Sequence, residues 1–452
     1  MQRITIVIFL ALVTALPQLV AAEEITAPAK VENAPKKKKG YLEWMRSELE
    51  MIGEMDLYGV TSQLPKGYLS FKWDWGTIRA KNRYNNRREL GPVMEPISFT
   101  DDQGNEIVNI DMGLNGYGGG HTFQWSFGIT DPLDWYFELP FTYMNVSFDP
   151  TISSIRDKDG NLIKDKDGNE LKVAPNKAGL LGIKDPVNFN ACDFMYETMP
   201  LLGRPPVANN FKGKWMMGDI NTGFSWNIYR TPRFSVALTP RVFLPTGHRA
   251  PANNNILWGT GPELETGIGG WAVGFTQGYD LRIFKYSYWI DIIASTEFTA
   301  AYGFSQKRKY PTNFPEDGKG AALDANAFPD LSHLKGSFTY TPGWSMDWTA
   351  QLQVQIAILG LGVAYGIQHM QEPELIGDRS FLLMAKSLEL LGQQTLQAVQ
   401  LAASLSLLPI YIPVDISFQW RKVVDGYNAI VFDDYYQVTV KGYIPLKLLW
   451  ER

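Results

Sequence analysis

Residues 344–356 read Trp-Ser-Met-Asp-Trp-Thr-Ala-Gln-Leu-Gln-Val-Gln-Ile, and this stretch decides the fold class. Trp344, Met346, Trp348, Ala350, Leu352, Val354 and Ile356 are apolar, and every residue between them is polar. Side chains of a strand alternate between its faces, so the segment has one greasy face and one wet face. The alternation outruns an ordinary strand of about 5–6 residues. It fits the spans of roughly ten alternating residues that cross an outer membrane as a barrel, apolar side to lipid and polar side to a lumen.

Working outward, residues 288–302 repeat the pattern. Tyr288, Ile290, Ile292, Ala294, Thr296, Phe298, Ala300 and Tyr302 share one face, against Asp291, Ser295, Glu297 and Thr299 on the other. Fourteen steps of ~3.3 Å tilted by ~40° rise about 35 Å, which carries a tyrosine to each membrane interface. Further spans lie at 69–75, 122–129, 135–143, 219–228, 414–421 and 436–441. Residues 395–407 are read as a strand rather than as a continuation of a helix over Arg379 to Leu391.

Breaks at Asp131-Pro132-Leu133, Thr231-Pro232-Arg233 and Pro409 to Pro413, with others placed near 279–286 and 357–361, are short. Long polar stretches fall near 85–118, 149–213, 303–342 and 370–394. Alternating short and long connections predict an all-β, up-and-down antiparallel transmembrane barrel of about twelve strands with long extracellular loops. A soluble sandwich would also alternate, but it needs polar outer faces.

Composition agrees. Aromatics make up 13% of the 452 residues, and no stretch of the mature chain approaches the ~18 consecutive apolar residues of a membrane helix. A net charge of -5 supplies no basic footprint for nucleic acid. One cysteine, Cys192, excludes a disulfide framework, and four scattered histidines leave little for a metal centre. No metal or cofactor is expected. Residues 1–22 read as a secretory signal with cleavage after Ala22. Residues 23–66 read as a periplasmic linker, with lysines at 36–39, followed by an amphipathic helix over Tyr41 to Met55. The barrel is assigned to 67–452 and placed in the outer membrane of a Gram-negative cell, with lipid and a small-molecule solute as partners. The oligomeric state is open.

Several phrases resemble the outer-membrane transporter family named for the MetA pathway of phenol degradation. They are Leu64-Pro65-Lys66-Gly67, Gly128-Ile129-Thr130-Asp131 leading to Glu138-Leu139-Pro140-Phe141, Gly218-Asp219-Ile220, Leu244-Pro245-Thr246-Gly247 and Gly259-Thr260-Gly261. The resemblance implies an outer-membrane channel that passes small hydrophobic or aromatic compounds. The sequence departs from the usual terminal aromatic by ending Leu449-Trp450-Glu451-Arg452, so Trp450 or Tyr443 is expected to serve in assembly.

A barrel lipid hydrolase is the rival chemistry. It needs a Ser or Thr nucleophile beside an oriented histidine. His121, His248, His333 and His369 show no such spacing, and no catalytic residue is assigned. Asp157-Lys158-Asp159-Gly160-Asn161 and Asp165-Lys166-Asp167-Gly168-Asn169 form an eight-residue repeat, echoed by Asp101-Asp102-Gln103-Gly104-Asn105. Hairpin turns are preferred there over a calcium site, because glycine comes too early for the calcium-loop pattern.

The lumen carries the functional expectation. Its candidate lining is the acids Asp74, Glu138, Asp219, Asp291, Glu297, Asp347 and Asp415, the bases Lys72, Arg241, Arg421 and Lys441, and the amide Gln351. Two readings stand. One is a polar conduit whose acid excess disfavours anions. The other is a salt-bridge network that fills a closed barrel, which then serves a structural or adhesive role.

Overall fold

A computed structural model describes residues 59–446, apart from 94–95, 102, 112, 179–184, 191–209, 212, 253–254, 256–263, 287–289, 312–335, 388–390 and 411. The signal, the linker segment as far as residue 58 with its helix over 41–55, Tyr288, Cys192, His333 and Trp450 lie outside the described residues.

Twelve long strands follow the chain: β1 Tyr68–Tyr84, β2 Leu114–Thr130, β3 Leu133–Phe148, β4 Ile220–Arg230, β5 Phe234–Leu244 and β6 Ala272–Tyr286. Then come β7 Ile290–Gly303, β8 Gly343–Ile356, β9 Leu359–Met370, β10 Gln394–Ser406, β11 Val414–Tyr427 and β12 Ala429–Pro445. Each pairs antiparallel with its sequence neighbour, and β12 returns to β1, from Tyr68 opposite Pro445 to Tyr84 opposite Ala429. The seam between β3 and β4 is also paired, from Leu133 opposite Trp226 to Glu138 opposite Asn221. The sheet is closed, so no edge strand is left with unpaired backbone groups.

Both ends of the barrel chain meet one rim. The strand ends on either side of the short breaks, at 130 and 133, 230 and 234, 286 and 290, 356 and 359, and 406 and 414, fall at that turn rim, and the strand ends that flank the long breaks fall at the other. One expected break is corrected. Residues 279–286 lie inside β6, and the break follows Tyr286. The loop rim also holds a tight hairpin at Asn428, whose φ of 49° is the left-handed conformation Asn tolerates, between β11 and β12.

The apolar residues point outward. Trp226, Ile356, Leu361 and Ile283 are 50%, 55%, 64% and 58% exposed, whereas Asn221, Asp291, Ser295 and Gln355 from the alternate faces are buried. A soluble protein rarely leaves so large an apolar surface wet. A bilayer removes that surface from water and tolerates only a closed sheet. The helix over Arg379–Ser387 is the only long helix among the described residues, and it lies in a loop rather than in the wall.

The loops carry their own small cores. Gln306–Lys309, Ser337–Thr341 and Glu374–Ile376 form a three-stranded sheet. The helix places Phe381 against Tyr310 and Phe338. A second sheet joins Ile97–Thr100, Glu106–Asp111 and Thr151–Ser153. Beside it, the eight-residue repeat makes two turns. Asp157 Oδ1 accepts from Asp159 N and Asn161 N at 2.9 and 2.8 Å, and Asp165 does the same with Asp167 and Asn169. Bonds from the backbone and then the side chain of Asn161 hold the Asp157 carboxyl below the ordinary aspartate range; Asn169 does so for Asp165, its side chain leading. These oxygens are occupied as turn caps, and among the described residues no group of three His, Cys, Asp or Glu is placed to hold a metal.

Candidate functional site

The inward faces of the strands assemble the site, because alternation puts every second polar residue into one enclosed space. On β1 these are Ser70, Lys72 and Asp74. Lys72 sits directly opposite Lys441 on β12 and Gln124 on β2, and Gln124 sits opposite Glu138 on β3. One level of the lumen thus runs base, base, amide, acid across four adjacent strands.

Two chambers meet there. The lower, toward the turn rim, has a volume of about 560 Å³ and is lined by Lys72, Arg241, Lys441, Asp134, Glu138 and Glu297 among other polar groups. The upper, about 450 Å³, adds Ile78, Met144, Met216 and Leu264 to Asp74 and Glu265. Lys72 and Glu138 line both chambers. The acid excess of the sequence reading does not extend to the lower chamber, where three bases face three acids.

Local bonds fix several of these groups. Lys72 Nζ pairs with Asp74 Oδ2 at 2.8 Å. Asp74 also accepts from Gln437 Nε2 at 3.0 Å and from Thr439 Oγ1. The Arg241 guanidinium lies 5.8 Å from the centre of the Tyr136 ring, and Lys441 Nζ lies 4.9 Å from that of Tyr443. Among the described residues Arg241, Lys441, Glu138 and Glu297 form no ion pair.

Other expected lining residues take different places. Asp219 is an anchor. Its carboxylate accepts from Gly247 N at 2.8 Å and Ile268 N at 2.6 Å, tying both ends of the loop between β5 and β6 to the wall. A side chain at Gly267 would come within 2.6 Å of that carboxylate, which explains the glycine. This loop carries Leu264 and Glu265 into the upper chamber, where Glu265 pairs with Arg308 at 2.8 Å. Asp291 pairs with Arg282 at 2.9 Å beside the turn rim. Asp415 accepts from Tyr443 Oη at 2.6 Å. Tyr443 is therefore buried in the interior and is not an outward aromatic available to assembly machinery. Asp347 and Gln351 lie opposite Thr299 and Ser295, and Arg421 opposite Tyr435, on the same parity as the inward residues of their neighbours. Asp219, Asp291, Asp347, Gln351, Asp415 and Arg421 do not border the two chambers, although Tyr435 lines the upper one.

The sequence reading missed the floor. Residues 59–64 cross beneath the lower chamber as a strap. Asp280 on β6 accepts from Val60 N, Thr61 N and Thr61 Oγ1 at 3.0, 2.8 and 2.5 Å. Asp134 on β3 accepts from Leu64 N at 2.7 Å. In the barrel order β6 lies five strands from β1, so the strap reaches nearly the opposite wall before the chain enters Tyr68. Gly278 makes room for it: a Cβ there would stand 3.0 Å from Val60 Cγ2. Continuing the alternation of β3 past Tyr136 would have found Asp134. Asp280 was hidden by reading 279–286 as a break.

Neither His121 nor His369 shows a nucleophile and an orienting group together. His121 faces outward, its ring centre 5.8 Å from that of Trp73, whose indole Nε1 donates to His121 Nδ1 at 3.0 Å. His369 Nδ1 meets Thr395 Oγ1 at 3.0 Å, but no third described group bonds that imidazole to orient it.

No protein-family model matches the sequence, and no curated protein matches it, so the resemblance drawn from short phrases is not shown at family level. Structural similarity extends to outer-membrane proteins. An outer-membrane channel from Pseudomonas putida F1 aligns over 86% of this chain and 99% of its own at 9% identity, TM-score 0.47. The β domain of the Bordetella autotransporter BrkA aligns over 84% and 100% at 7% identity, TM-score 0.34. CymD, a monoaromatic hydrocarbon channel, aligns over 89% and 92% at 9% identity, TM-score 0.29.

Proposed function

We propose that the protein is a passive outer-membrane channel for small molecules, exported by residues 1–22 and lying in the membrane from 67 onward. The carrying observation is the pair of chambers, about 450 and 560 Å³, that share Lys72 and Glu138 inside a closed wall. A barrel stiffened only by salt bridges needs no such volume, and Arg241, Lys441, Glu138 and Glu297 are left free of ion pairs among the described residues.

In this reading Lys72, Asp74, Glu138, Arg241, Glu297 and Lys441 line the solute path. Asp347, Gln351, Asp415 and Arg421 complete the polar interior, and Asp219 and Asp291 hold the wall and loop in place. The strap over 59–64 serves as the gate at the turn rim. The apolar side chains of the upper chamber accept the hydrophobic part of a solute that enters from the loop rim. Flux of small solutes into liposomes carrying the mature protein tests the proposal. Uptake above that of protein-free vesicles supports it, and equal uptake with correctly inserted barrels favours the closed structural barrel.

A further inference from the structure

We infer that the solute class of this channel is the small zwitterion: a compact molecule with one ammonium, one carboxylate and an apolar substituent, of the kind an apolar α-amino acid represents. The inference rests on the channel reading and adds the chemistry of what passes.

The lower chamber holds Lys72, Arg241 and Lys441 against Asp134, Glu138 and Glu297. Lys72 is already paired with Asp74, and Asp134 holds the strap through Leu64 N. Two bases, Arg241 and Lys441, and two acids, Glu138 and Glu297, therefore remain without an ion-pair partner among the described residues. They come from four different strands: β5, β12, β3 and β7. Their strands hold them around one space without an ion pair between them. Arg241 and Lys441 rest by the rings of Tyr136 and Tyr443, and Glu138 beside Asn221, so what the four groups lack is an opposite charge at ion-pair distance, which a solute can supply.

That arrangement discriminates by charge pattern. An anion drawn to Arg241 and Lys441 meets Glu138 and Glu297 in the same space, and a cation meets the reverse. A neutral hydrocarbon must displace water from all four groups and returns no bond, which is costly for charged groups. A zwitterion offers a carboxylate to the bases and an ammonium to the acids together. The chamber above supplies Ile78, Met144, Met216 and Leu264 for an apolar substituent, and the two spaces join at Lys72 and Glu138. Arg241 and Glu297 are assigned as the residues that set the charge preference.

The test holds the ring constant and varies the head group. Block of the single-channel current by L-phenylalanine, 3-phenylpropionate, phenethylamine and toluene is measured in planar bilayers with the full mature protein. Phenylalanine is expected to block at a concentration about tenfold lower than either singly charged analogue, the scale of one lost charged bond. Arg241→Gln is expected to shift the preference toward phenethylamine, and Glu297→Gln toward 3-phenylpropionate. These opposite shifts cannot arise from partial unfolding, because each variant must still conduct to be read. Equal block by all four compounds, tightest block by either singly charged analogue, or block by toluene alone would overturn the zwitterion assignment and leave the channel standing. Absence of any current would remove the channel reading, and this inference with it.

Discussion

Asp280→Ala is the substitution that examines the strap. Its carboxylate accepts three bonds from Val60 and Thr61 while buried in the wall of β6. A bond to a charged acceptor contributes about 1.5–3 kcal/mol. The full sum is not lost, because lumen water rehydrates the two freed N–H groups and Thr61 Oγ1 retains Ser235 Oγ at 2.5 Å. A net loss of about 3 kcal/mol is reasonable, which is roughly a hundredfold change in the ratio of open to latched strap. The assay is thiol labelling of Ser62→Cys in a Cys192→Ser background, with the protein in liposomes, alongside channel conductance. Ser62 lines the lower chamber between the two latched positions. With a membrane-impermeant reagent supplied only on the turn-rim side, access to Ser62→Cys scales with the open fraction, so Asp280→Ala should label about a hundredfold faster and show a higher open probability. Asp280→Asn keeps one carbonyl acceptor and should fall between. A labelling rate and conductance unchanged from the parent would refute the claim that Asp280 holds a gate.

Three further outcomes follow from the same geometry. Leu352→Arg, on the outward face of β8, should destabilise the barrel by about 2–4 kcal/mol in denaturant unfolding from vesicles, whereas Gln351→Arg on the inward face should cost far less. Asp219→Ala removes both anchors of the loop between β5 and β6, and should make that loop markedly more sensitive to external protease while the barrel stays folded. The turn caps at Asp157 and Asp165 carry a pH signature. Their native values lie below the ordinary 3.8, so the stabilisation is complete above that value and is lost as pH falls below it through the native values. Amide exchange at Asn161 and Asn169 should accelerate in that acid window, and added calcium should leave it unchanged.

How much was legible depended on whether a residue's meaning lay in its own strand. β8 declares itself, because thirteen residues alternate without exception from Trp344 to Ile356. The inward position of Lys72, Glu138 and Glu297 followed from the same parity. β6 was misread because 279–286 was placed as a break, whereas the strand runs through to Tyr286 and its Gly278 admits Val60 from the strap. Asp219 looked like any inward acid, and its anchoring role needs Ile268, 49 residues away. The strap was unreadable for the same reason: Thr61 and Asp280 are 219 residues apart, and no local pattern records their bond. The tight connection at Asn428 was missed because the left-handed conformation of a single Asn leaves no polar run.

The most direct test of the central claim is the current carried by the mature protein in a planar lipid bilayer. A greasy outer face seated in acyl chains and a continuous polar interior predict insertion followed by discrete conductance steps that grow when the Asp280 latch is removed. Inserted, fully folded barrels that pass no current, with the latch intact or removed, would contradict it.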